Sequence, residues 1–234
     1  MPLSTERRDG EIPASHGGVV IDLDAVARAL DALAAAAPPA WVAGREAFSP
    51  EILRWMLDGY ALLDDMLASG VDLFALGASH RLIELNHRVL CGTDPARRAD
   101  FKRHLALTER RFYEDRAAGA DAFFDWVSRA DRAPPLVWAT ALYVRVVSAP
   151  QLFLEGNQRT ATLMASFALV RAGRPPLVVT PEGAPALARI SARCRAIPRA
   201  RWTAPLEIAL MERRLRRHLA RTLDPVFLRS RHAA

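Results

Sequence analysis

Gln151-Leu152-Phe153-Leu154-Glu155-Gly156-Asn157-Gln158-Arg159-Thr160-Ala161-Thr162 is a polar, glycine-bearing stretch between two long apolar segments, and its surroundings decide the fold. Upstream, Pro135 to Val147 is rich in Leu, Val, Trp, Ala and Tyr, with no glycine and no acidic residue. Downstream, Thr160 to Val170 is equally apolar. Runs of this kind without a polar stripe predict two buried helices. Ser148-Ala149-Pro150 stops the first, because proline lacks an amide donor and drives its predecessor out of the helical region. Gly156 and Asn157 suit a tight turn into the second, with Asn157 or Glu155 near its cap. A helix that starts this way presents unpaired backbone N–H groups and the positive end of its dipole, which together favour an anion. Arg159 in the first turn adds a charged fork.

Phe153, Glu155, Gly156, Asn157 and Arg159 fall in register on a known signature, His-x-Phe-x-(Asp/Glu)-Gly-Asn-(Gly/Lys)-Arg-x-x-(Arg/Gly). The stretch resembles a degenerate form of this Fic/Doc (Fido) motif. The resemblance implies an all-α fold, with a Fic-like helical core whose signature loop lies between two central buried helices. It further implies a nucleotide, ATP or another, with its phosphates on the loop and the following helix start. An acidic residue would hold a divalent metal such as Mg2+, and AMP or a related phosphate-containing group would pass to a protein hydroxyl. By position, Glu155 is the catalytic carboxylate and metal ligand, Gly156, Asn157 and Gln158 belong to the phosphate-binding loop, and Arg159 contacts phosphate.

Three positions depart from the pattern. Gln151 stands where the family has the histidine that accepts the proton of the attacking hydroxyl, and an amide has no useful basicity near neutral pH. Gln158 projects a side chain where a bare glycine lets phosphate come close. Thr162 replaces an arginine that would grip a terminal phosphate. A histidine from elsewhere, among His16, His80, His87, His104, His218 and His232, could fold toward Glu155 and replace the base, but the sequence offers no ground for choosing one. The alternative to a transferase is therefore a catalytically inactive pseudoenzyme, a binding or regulatory module that keeps the anion site.

At 234 residues, 51% hydrophobic and 25% charged, the chain has ordinary globular composition and is long enough for one sizeable core. No apolar run approaches the roughly 20 residues that span a bilayer, and a polar start together with only two cysteines, Cys91 and Cys194, leads us to expect a cytoplasmic protein. The net charge is +6 and the pI about 10.3, with all but one of the 32 basic residues arginine. The arginine excess fits a coding bias as well as it fits binding, so nucleic acid is the weaker expectation. It rests on the helix predicted from Pro205 to Leu223, where Arg213, Arg214, Arg216 and Arg217 oppose a leucine face. The absence of a Gly-x-Gly-x-x-Gly, P-loop or Gly-x-Ser-x-Gly motif argues against common dinucleotide, NTPase and hydrolase classes.

Caps and prolines divide the rest. Residues 1–18 read as a flexible start, 19–48 as a helical appendage, 49–180 as the core and 181–234 as a helical extension. Helices are expected over Asp22 to Ala37, from Ser49-Pro50 to Ser69, from Ser79 to Gly92, from Asp94-Pro95 to about Gly119, over Asp121 to Arg129, and from Thr180-Pro181 onward. Leu177 to Val179 reads as a brief extended piece. In the Fic family a flap upstream of the signature aligns the target side chain, and by location Phe112 to Phe124 would supply it. His80 and Glu84 share a putative helix face, but no metal-ligand spacing occurs, so a protein-built zinc site is not expected.

Overall fold

Side-chain caps start the first helices where the sequence places them. The structure, a computed structural model, describes residues 18–36, 49–75, 77–130 and 133–230. Asp22 opens α1 (Leu23–Ala35) by accepting the Ala25 N–H at 2.8 Å, and Ser49 opens α2 (Pro50–Ala68) by accepting that of Ile52 at 3.2 Å. Helix α3 (Ser79–Cys91) ends on Gly92, after which Asp94 caps α4 (Pro95–Asp100). The single helix expected from Asp94 to Gly119 is two, because the chain turns at Phe101 into α5 (Lys102–Glu114). No proline or glycine marks that corner. It is clamped instead by the Arg97 guanidinium, 4.9 Å from the Phe101 ring centre and 5.7 Å from that of Trp55.

The segment from Phe112 to Phe124 is the end of α5, a turn, and the start of α6 (Ala120–Ala130). Helix α7 (Pro135–Val147) and α8 (Asn157–Arg171) then make the most extensive helix pair, and α8 is buried at every residue from Thr160 to Val170. Two central buried helices therefore flank the 151–156 loop, as expected. Helices α9 (Ala184–Arg195) and α10 (Ala204–Thr222) complete the helical set among the described residues. Leu177 forms no strand. Its N–H donates to Ser166 Oγ at 3.1 Å and its carbonyl accepts the Tyr60 hydroxyl at 2.5 Å, so its backbone is satisfied by α8 and α2.

The class is all-α, with one small exception. After a 3-10 turn at Pro225–Phe227, β2 (Leu228–Ser230) pairs antiparallel with β1 (Val19–Ile21), placing Val20 opposite Arg229. Strands of three residues are too short to show alternation, which is why periodicity did not reveal them. The Ile21 N–H also donates to Asp64 Oδ1 of α2 at 2.8 Å. Ile21, Val26 and Leu30 share one buried cluster with Leu163 of α8 and Leu215 and Leu219 of α10. Residues 1–17 and the connector expected over Pro38 to Phe48 lie outside the described residues. Among the described residues no helix is long and apolar enough to cross a membrane.

Candidate functional site

The loop between α7 and α8 is held from three sides. After α7, the Ala149 N–H donates to the Ile197 carbonyl at 3.2 Å and its own carbonyl accepts the Arg199 N–H at 2.8 Å. The Arg199 guanidinium donates to the carbonyls of Arg145 (2.7 Å) and Ser148 (3.0 Å), satisfying the last turn of α7. Burial, reinforced by Arg145, pulls the Arg199 pKa down to about 10. Above the loop lies α5: the Phe112 ring stacks on Phe153 at 5.4 Å, and Arg111 donates to the Gln151 carbonyl at 3.1 Å. Below it lies α3, whose fully buried Asn86 donates to the Glu155 carbonyl and to Thr160 Oγ1, each at 3.0 Å.

Gly156 is the N-cap of α8 at φ +71°, a left-handed conformation natural to glycine. A Cβ there would come within 3.0 Å of Asn86 Nδ2 and 3.3 Å of Val89 Cγ2, so the loop also needs the close approach to α3. No side chain caps α8. Asn157 turns back instead: its Oδ1 accepts the Phe153 N–H at 2.9 Å, and its Nδ2 donates to the Phe153 carbonyl at 2.8 Å and to Gln151 Oε1 at 3.4 Å. Gln151 Nε2 donates to the Val147 carbonyl at 3.2 Å. The Gln151 amide is thus tied to α7 and to Asn157.

Gln158 and Arg159 are likewise committed. Gln158 Oε1 accepts from Arg195 of α9, and its side chain faces the Tyr143 hydroxyl of α7, which meets Ser191 Oγ at 2.6 Å. Burial pushes that phenol up to about 12 despite its polar neighbours. Gln158 therefore points into a polar knot between α7, α8 and α9. Thr162 donates to the Gln158 carbonyl at 2.9 Å. Arg159 donates to the Val89 carbonyl near the end of α3.

Glu155 is the outward-facing member, its side chain 65% exposed. His104 Nε2, from α5, lies 3.8 Å from Glu155 Oε2. Of the described histidines whose contacts are given, it is the one brought to Glu155, and nothing in the local sequence distinguished it. His87 lies 4.0 Å from Glu109, and burial lowers its pKa against the pull of that carboxylate. Asn86 was missed as well, although an amide on the apolar face made by Leu82, Ile83, Leu85, Val89 and Leu90 was a readable signal.

Among the described residues no three His, Cys, Asp or Glu side chains are grouped to share a metal ion. One carboxylate beside one imidazole fits Mg2+ only as part of a ligand-completed shell, since that ion is commonly held by one or two carboxylates plus substrate phosphates. Two grooves among the described residues, about 710 and 200 Å3, lie along α9 and α10 and are lined by no residue of the 151–162 loop. Compared with protein-family models, curated proteins and solved structures, the chain matches none.

Proposed function

We propose that this chain is a catalytically silent Fic-like module, a binding or regulatory protein in which the signature loop serves as structure. The observation that carries this reading is the commitment of the motif's polar side chains. Gln151, Asn157, Gln158 and Arg159 each hydrogen-bond to the chain's own backbone or side chains. A phosphate cradle needs donors aimed outward before the ligand arrives, and breaking internal bonds to supply them costs affinity. In this reading replacing the base alone does not restore chemistry. Purified protein incubated with radiolabelled ATP, GTP, UTP or CDP-choline and a mixture of acceptor proteins should transfer no label, and the Gln151→His variant should also transfer none. Label transfer by the unmodified chain that disappears in Glu155→Ala would overturn the reading.

One contact favours a second reading, in which transfer persists with a relocated base. His104 is within 3.8 Å of Glu155, so an imidazole stands beside the carboxylate that would share Mg2+ with nucleotide phosphates. The imidazole would take the proton of an attacking hydroxyl, while positioning and charge supply most of the rate. Here transfer is present and is lost in His104→Gln as well as in Glu155→Ala.

A further inference from the structure

A groove of about 710 Å3 runs between α9 and α10. Arg189 and Arg193 enter it from α9, one turn apart, and Arg214, Arg217 and Arg221 from α10, over two turns. Four and seven residues of helix span about 6 and 10 Å, so the guanidinium groups form two facing rows of near-molecular length. All five arginines are exposed, and among the described residues none forms an ion pair. The groove's carboxylate is Glu182, so the local balance is strongly positive and concave, the arrangement that focuses potential and concentrates anions.

We propose that this groove is a binding site for a compact ligand bearing several phosphate groups, a nucleoside polyphosphate or another small polyphosphate. Arginine forks bind phosphate oxygens in pairs, which a point charge cannot do, and rows on both walls would engage phosphates from two sides. The volume lies within the roughly 300–1,000 Å3 of small-molecule sites. A nucleic-acid strand fits less well. The rest of the lining includes Ala186, Ile190 and Ala192, with His218 as its one ring and no Phe, Tyr or Trp, so bases lack a broad stacking platform, and Glu182 interrupts a continuous phosphate track. The site is separate from the 151–162 loop and does not depend on the reading given to that loop.

The test is calorimetric titration of the full chain with inorganic tripolyphosphate and, in parallel, with single-stranded oligoribonucleotides of increasing length. One-to-one binding of tripolyphosphate is expected, weakened about tenfold or more when Arg193→Gln and Arg217→Gln are combined, the scale of losing charge-assisted pairs. Arg217→Lys should weaken it less, because charge remains while the fork is lost. Arg213→Gln, on α10 but not lining the groove, and Glu155→Ala, in the loop, should leave it unchanged. Circular dichroism of the variants controls for folding, which exposed arginines should not disturb. No saturable binding, equal weakening by Arg213→Gln, or a preference for oligoribonucleotides with stoichiometry set by their length would each overturn the proposal.

Discussion

Asn157 shows how one residue type can serve two geometries that a sequence does not separate. The Glu-Gly-Asn run reads as a helix start, and it is one, but Gly156 takes the cap position and the Asn157 amide reaches backward. By accepting from and donating to the same residue, Phe153, it acts as a clasp that satisfies two buried backbone groups. Removing it leaves both unpaired, at about 1–3 kcal/mol for each group. Asn157→Ala should therefore lower stability by about 2–6 kcal/mol, read as a shift of the urea midpoint. Asn157→Asp, which keeps the acceptor but buries a carboxylate oxygen against the Phe153 carbonyl, should also be destabilising at neutral pH. A near-neutral Asn157→Ala would mean that the clasp contributes nothing. The five matching residues were legible as a loop between helices. Their partners were not, because Asn86 and Arg111 reach the loop across sequence separations of 69 and 40 residues, which no local pattern encodes.

Helix starts carry their chemistry within a few residues, so Asp22, Ser49-Pro50 and Asp94-Pro95 announced α1, α2 and α4. The corner at Phe101 rests on a guanidinium clamped between two rings, one from another helix, and was illegible for that reason. Packing between helices lies one step further from the sequence. Gly59, inside α2, has no turn or cap to explain it, and its reason is α8: a Cβ there would sit 2.3 Å from Leu163 Cδ1. Leu163 is fully buried, so its end has little room to move aside. Alanine gains up to about 1 kcal/mol of helix propensity over glycine, whereas overpacking a filled core costs about 1–3 kcal/mol. Gly59→Ala should thus be destabilising on balance, and pairing it with Leu163→Ala should recover part of the loss, a coupling that a double-mutant cycle measures. Additive losses would place the strain elsewhere.

Across the whole molecule, net charge gave little guidance to acid behaviour, because that depends on which groups the fold buries. Burial lowers the pKa of His87, against the pull of Glu109, and lowers that of His218 from the ordinary value of 6.5. Their folded forms resist protonation, so below about pH 6.5 the unfolded chain binds more protons and stability falls. A second group acts lower. Burial alone would raise the Glu84 carboxyl, but the hydrogen bonds from Arg98, at 2.8 and 3.0 Å, and from Arg88, at 2.9 Å, hold it below its usual 4.5. A depressed carboxylate stabilises the fold above its ordinary value and loses that contribution as pH falls through it. Acid should therefore weaken the protein in two stages, one setting in below about pH 6.5 and one below about 4.5, seen as two regions of slope in melting temperature against pH. His87→Gln should flatten part of the first stage and leave the second, whereas Arg98→Met should flatten part of the second and, because the Arg98 charge also disfavours protonation of His87, reduce the first to a smaller extent. A first stage that keeps its full slope in His87→Gln would show that His87 is not held neutral by the packing of α3 beneath α5.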